Sequence, residues 1–353
     1  MKTARMLDVE RRTAVAESVF MRACRSESVE RTPVWLMRQA GRYQAEFRAV
    51  RSKYGFLELC KTPEKACEVT VMAVEMLNVD AAIIFADILL PIDALGLGLE
   101  YVKGEGPQIG RPIRSRADVE ALPQIDVATS LSYVYDAIEL TSQKLQKNIP
   151  LIGFAGAPFT LASYMIEGGG SRNFENTKAL MYSDPTAWAL LLDRIVEITA
   201  KYLHHQVEAG ADALQIFDSW VGCLSPSDYS RFVLPHMRKL FDTVGDIAPV
   251  IHFGTNTATL LPLLREAGGD VIGMDWRIPL DQGWQIIGHD KAVQGNLDPT
   301  VLLGSKDEIR IQACRILQEA KGKPGHIFNL GHGILPMTPV ENVKYLVEVV
   351  RNG

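Results

Sequence analysis

The chain has 353 residues, 47% of them hydrophobic and 22% charged, with 37 basic and 42 acidic side chains and a formal net charge of −5. That composition excludes a disordered, collagen-like or coiled-coil chain. The charge balance provides no global basic field for nucleic acid, so any anion site must be local.

Five cysteines, Cys24, Cys60, Cys67, Cys223 and Cys314, form no C-x-x-C pair. An odd, unpaired set fits a reducing compartment, with neither a disulfide framework nor a zinc ribbon. Lys2, Arg5, Asp8, Glu10, Arg11 and Arg12 are not followed by an apolar segment, so no secretory signal is expected and a cytoplasmic location is. Residues 148–166 carry no formal charge, but Pro150, Gly153, Gly156 and Pro158 interrupt them. They read as a buried strand, a turn and the start of a helix rather than a membrane span.

In chain order, Ala16, Val19 and Phe20 at helical spacing predict a helix within the first 25 or so residues, preceding the main fold. Eight short apolar runs then predict strands at Pro33–Met37, Ala81–Ala86, Leu151–Ala155, Ala213–Phe217, Pro249–Phe253, Val271–Met274, Ala292–Gly295 and His326–Leu330. Helical periodicity separates most of them, at 62–78, 131–147, 185–209, 226–244, 257–267 and 336–351. Near-continuous apolar strands alternating with helices predict a parallel sheet. Eight units predict an α/β fold, a single (β/α)8 TIM barrel of residues 1–353 with an N-terminal helical extension. The competing fold, an open doubly wound sheet, lacks a G-x-G-x-x-G after the first strand.

A barrel places its site at the C-terminal strand ends. After the first run comes Arg38-Gln39-Ala40-Gly41-Arg42, where a helix would aim both arginines the same way. Window 31–53 holds Arg31, Arg38, Arg42, Arg48, Arg51 and Lys53 against Glu46 alone. Guanidinium groups suit carboxylate or phosphate recognition. A solvated basic face is the alternative, but Arg38 directly follows a strand. Asp87 is a lone carboxylate in an apolar run, either a cap for the next turn or an acceptor for ligand N–H groups. Gly168-Gly169-Gly170 reads as a mobile loop over the site; it lacks the Lys-Ser/Thr of a P-loop. Asp218 and Ser219 end the fourth run, His252 belongs to the fifth, Asp298 follows the seventh, and His332 stands between glycines after the eighth. No H-E-x-x-H or paired cysteine accompanies these groups, so no metal is expected.

Arg31-Thr32-Pro33-Val34-Trp35-Leu36-Met37-Arg38-Gln39-Ala40-Gly41-Arg42-Tyr43 resembles the N-terminal signature of the uroporphyrinogen decarboxylase family, and Gly153-Phe154-Ala155-Gly156-Ala157-Pro158-Phe159-Thr160 resembles its second signature. The likeness continues through Ile84–Leu89, Tyr164–Gly170, Phe217–Trp220, Gln294–Pro299 and Asn329–Gly333, nearly the whole chain. It implies a barrel, a homodimer and no metal or organic cofactor, and the charge balance and the interrupted 148–166 segment add the expectation of no nucleic-acid and no membrane partner. It also implies decarboxylation of the four acetates of uroporphyrinogen III to give coproporphyrinogen III, in haem and tetrapyrrole synthesis. At matching positions it implies a cleft lined by Arg38, Arg42, Asp87, Tyr164, Ser219 and His332, with Arg51 and Phe217 further along. Among these, Asp87, Arg38, Tyr164 and His332 are the expected catalytic residues.

The alternative is a zinc-dependent corrinoid or thiol methyltransferase of the same superfamily. That branch requires His-x-Cys at the fifth strand and a Cys near the eighth; here stand His252-Phe253-Gly254 and His332. A stoichiometric porphyrin binder and a phosphate-sugar enzyme are the remaining readings.

Overall fold

In a computed structural model, residues 10–102 and 106–353 are described. Seven parallel strands form one curled sheet: β1 (Ala82–Ile83), β4 (Leu151–Gly156), β5 (Ala213–Asp218), β6 (Val250–Gly254), β7 (Val271–Gly273), β8 (Ala292–Gln294) and β9 (His326–Ile327), neighbours in that order. The remaining pair, β2 (Leu99–Val102) and β3 (Gly106–Ile109), is antiparallel and separate. Each sheet strand occurs where an apolar run predicts it, although β1 and β9 are only two residues long.

The predicted first strand is reduced to one parallel bridge, Val34 to Phe328. Its segment touches both edges of the sheet. Phe328 N–H donates to Pro33 O at 2.8 Å, and Asp80 N–H donates to Val34 O at 2.8 Å. Pro33 has no N–H to offer a ladder, and the chain leaves the extended path at Arg38. Of the predicted N-terminal helix, residues 1–9 lie outside the described residues. The rest forms a helical stretch at 10–16 and the helix Val19–Cys24, capped by Ser18, whose side chain accepts from Met21 N–H.

The helices follow the predicted periodicity where prolines permit. Pro63–Leu77 and Pro185–Glu208 match closely, each with proline in the first turn. The predicted helix 226–244 is two, Pro226–Phe232 and Leu234–Val244, because Pro235 can only stand in the first turn of the second.

Strand alternation decides what faces inward. On β5, Gln215 and Phe217 share the inner face, and Asp218 points the other way. A buried polar chain crosses the interior: Trp35 Nε1 donates to Gln294 Oε1 at 2.9 Å, and Gln294 Nε2 donates to Gln215 Oε1 at 3.0 Å. On β6 Phe253 is turned inward, whereas His252 lies against Phe241 of the outer helix layer with ring centroids 5.1 Å apart.

Candidate active site

A cavity of about 870 Å³ opens at the C-terminal ends of the strands. That is near the top of the range of roughly 300–1,000 Å³ for sites that enclose drug-sized ligands. Every residue expected for the site lines it: Arg38, Arg42, Arg51 and Asp87, with Tyr164, Phe217, Ser219 and His332.

Arg38 is placed by an unusual turn. The expected helix over Arg38–Arg42 is absent; consecutive turns take its place, and Arg38 has a left-handed φ of 62°. A non-glycine residue there costs on the order of 1–3 kcal/mol and persists only when its surroundings hold it. Here they do. Met37 N–H donates to Asn329 Oδ1 at 3.1 Å, and Ile334 N–H donates to Met37 O at 3.0 Å. On the other side Gln39 accepts from Leu36 N–H at 3.2 Å and donates to Ala81 O at 3.1 Å. The Arg38 side chain then crosses Gly333 so closely that a Cβ there would lie 2.6 Å from Arg38 Cγ and 2.9 Å from Nε.

Only part of the basic window belongs to the cavity. Arg31 is a structural ion pair, donating to both oxygens of buried Asp80 at 2.7 and 2.5 Å. Arg48 donates to the carbonyls of Arg42 and Tyr43, both at 2.9 Å. Arg51 reaches Tyr54 O and lies 5.7 Å from the Phe56 ring centre. Among the described residues Arg38 and Arg42 have no carboxylate partner, and both are exposed at the cavity. They are cations left available for an anionic ligand.

Among the described residues, Asp87 is the one carboxylate on the cavity wall. It follows β1, and its Oδ1 accepts from Leu89 N–H at 2.8 Å, closing an Asx turn. It is not the cap of the next helix, Leu90–Ala94, whose cap position is Leu89. Protein surrounds its carboxyl, and that desolvation raises its pKa; the Leu89 N–H, Tyr101 and Arg38 oppose the rise.

Tyr164 extends from the helix Pro158–Glu167, its ring 5.6 Å from that of Trp220. Burial first, and then the Asp87 charge, push its hydroxyl up to about 12. Burial and the Arg38 charge hold His332 down at about 4, so its imidazole is neutral at pH 7. Phe217 stands edge-on to Phe154 and Phe253, at 5.5 and 6.0 Å, giving the cavity an aromatic floor.

Three expectations change. The triple glycine is not a loop over the site: Gly168 O accepts from Ile109 N–H at 2.8 Å, and Gly168, with a left-handed φ of 85°, ends its helix there. The hairpin β2–β3 reaches the cavity instead, through Tyr101, Val102, Gly106 and Pro107. Asp218 does not face the cavity. It is fully buried against Thr160, whose Oγ1 donates to Oδ1 at 2.8 Å, and burial raises its carboxyl to about 7. His252 faces the helix layer, away from the other candidates. Tyr101 was missed in the sequence; the alternation of Leu99 and Tyr101 after Gly96 and Gly98 is the signal that could have found it.

The family model for uroporphyrinogen decarboxylase (URO-D) matches residues 16–353. The chain belongs to the uroporphyrinogen decarboxylase family. A uroporphyrinogen decarboxylase of Koribacter versatilis is 56% identical over 339 residues, covering 96% of each chain. The protein of that name from Carboxydothermus hydrogenoformans is 54% identical, over 94% of this chain and 95% of its own length. Among solved structures, a methyltransferase from Methanosarcina mazei superimposes with a TM-score of 0.79 at 21% identity, over 95% of this chain and 98% of its own. A B12-independent methionine synthase from Shewanella gives 0.56 at 10%, over 82% and 88%. At such identities the likeness is one of fold. Family membership and the missing Cys ligands both disfavour the methyltransferase alternative for this URO-D family chain.

Proposed function

We propose that this chain converts uroporphyrinogen III to coproporphyrinogen III, removing four acetate carboxylates as CO2 with no metal or organic cofactor, in tetrapyrrole biosynthesis. One observation carries the reading: among the described residues, a lone carboxylate, Asp87, lines an apolar, aromatic-floored cavity whose other charged lining groups are Arg38, Arg42 and Arg51. A multiply anionic macrocycle with an N–H-bearing, electron-rich centre suits that arrangement.

The chemistry needs an electron sink, and the pyrrole supplies it. Protonation of the ring carbon beside the acetate-bearing carbon makes the ring cationic. The C–COO⁻ bond then breaks, its electron pair enters the ring, and CO2 leaves. A second proton adds at the methylene carbon to make the methyl group, and the ring proton is returned. The net change per acetate is one proton gained and one CO2 lost.

In this scheme Asp87 accepts pyrrole N–H bonds and stabilises the ring cation, a preorganised charge worth roughly 10²–10³ in rate. Arg38, Arg42 and Arg51 hold substrate carboxylates. Phe217 supports the macrocycle face, and Ser219 and neutral His332 hydrogen-bond its side chains. Near Asp87, burial and the Asp87 charge keep the hydroxyls of Tyr164 and Tyr101 protonated at pH 7. The Val34 bridge supports reading 33–37 as the eighth strand of a closed (β/α)8 barrel, with residues 1–353 as one domain and the 10–24 helices as its extension. By family likeness we extend the proposal to a cytoplasmic homodimer; no helix among the described residues is long and apolar enough to cross a membrane.

The test is anaerobic, dark incubation with chemically reduced uroporphyrin, then oxidation and chromatography of the porphyrins. Stepwise seven-, six-, five- and four-carboxylate products are expected. Unchanged eight-carboxylate material with folded protein overturns the reading.

A further inference from the structure

Asp87 has an uncompensated requirement. Ionised, it sits in a wall built from Phe85, Ile88 and Leu89, and its only hydrogen bond among the described residues is the Leu89 N–H on Oδ1. A carboxylate in such surroundings drifts toward its neutral form unless further donors hold the charge. The groups that face it from the packed elements are Arg38 from the turn after Met37, Tyr101 from β2, Tyr164 from the helix Pro158–Glu167, Cys60 from Phe56–Cys60 and, farther off, Tyr202.

Tyr101 stands out because its hydroxyl is buried and, among the described residues, has no full hydrogen bond. A buried polar group without a partner in a well-packed wall calls for an explanation. It lines the same cavity as Asp87, near enough that a hydrogen-bond interaction between them lowers the proton affinity of Asp87 and raises that of Tyr101, yet outside the distance and angle of a full hydrogen bond. The ring is held rigidly: its centre lies 4.5 Å from that of Phe56, and the β2–β3 ladder pairs Tyr101 with Pro107. The hairpin itself is tied to the helix that carries Tyr164, through Ile109 N–H to Gly168 O.

We propose that Tyr101 is a positioning residue, donating to Asp87 and holding it ionised and turned toward the substrate's N–H groups. This rests on the reading of Asp87 as the acceptor of those groups. A carboxylate accepts at about four sites, so bonds from Leu89 and Tyr101 leave room for two pyrrole N–H groups.

Tyr101→Phe keeps the ring on Phe56 and deletes the hydroxyl; an unchanged thermal midpoint verifies the fold. Two readouts are taken. The first is the pH profile of kcat/KM for porphyrinogen decarboxylation. The second is an infrared titration of the ligand-free protein, with the Asp87 carboxyl band identified by its loss in Asp87→Asn. Both the acid limb and the infrared midpoint are expected to move to higher pH by about one unit, the size of effect a lost donor to a carboxylate produces. An infrared midpoint in Tyr101→Phe equal to that of the unsubstituted chain overturns the proposal, whether or not the chain decarboxylates. Absence of turnover in the unsubstituted chain instead overturns the decarboxylase reading, and the infrared midpoint alone then decides the role of Tyr101.

Discussion

Gly333→Ala is expected to disable Arg38 without replacing it. The added Cβ falls 2.6 Å from Arg38 Cγ and 2.9 Å from Nε, and closer still to Cδ. These are atoms of the side-chain stem, and the backbone beneath them cannot retreat: Met37 is bonded to Asn329 at 3.1 Å and to Ile334 at 3.0 Å. The side chain must change rotamer and carry the guanidinium off its course. The distortion costs about 0.5–1.5 kcal/mol, small against a typical stability of about 5–15 kcal/mol, so the protein stays folded. Displacing a binding cation by an ångström or more costs roughly 10²-fold in kcat/KM. The assay is a double-mutant cycle in porphyrinogen decarboxylation with Arg38→Ala. The two effects should not add, and the double variant should be no slower than Arg38→Ala alone. Full activity in Gly333→Ala, or losses that multiply, would refute the threading of Arg38 past this glycine.

Further outcomes follow from the same geometry. Arg38→Ala should raise KM and lower kcat together, and added salt should weaken substrate binding in the unsubstituted chain; an unchanged KM and kcat would remove Arg38 from the anion site. His332→Asn should leave the acid limb of the pH profile in place, since His332 is held at about 4 and is neutral across the working range; a shifted limb would make it the titrating group. Asp218 has a folded pKa of about 7 against an ordinary 3.8, so its contribution to stability is fully present below about pH 4 and is lost as pH rises through 7. Asp218→Asn should therefore flatten the fall of the thermal midpoint between pH 4 and 7, and an equal slope in both proteins would contradict the burial argument.

The sheet was legible because its strands are apolar runs closed by glycine or aspartate, a local signal for burial on both faces. Where proline intervenes, the reading slipped. Pro235 splits one expected helix, and the helix expected from 257 begins at Leu261, with Pro262 in its first turn. The hairpin β2–β3 went unread because its four-residue strands are half-buried and glycine-punctuated, which leaves the short Leu99–Tyr101 alternation as their local signal. The strand-end rule found Arg38, Asp87, Ser219 and His332, but it could not separate inner from outer positions. Asp218 and Ser219 are adjacent and face opposite ways. Nor could it see that Arg31 is claimed by Asp80, 49 positions away, or that Arg38 reaches the cavity from a left-handed turn rather than a helix. Such pairings are set by tertiary contact, which no local pattern encodes.

The central claim is that one buried carboxylate stabilises a cationic pyrrole. Rapid-mixing measurement of CO2 release by Asp87→Asn, beside equilibrium binding of the reduced porphyrinogen, tests it most directly. The account predicts stoichiometric binding by a folded variant, with release slowed by roughly 10²–10³. Release at the rate of the unsubstituted chain would contradict it.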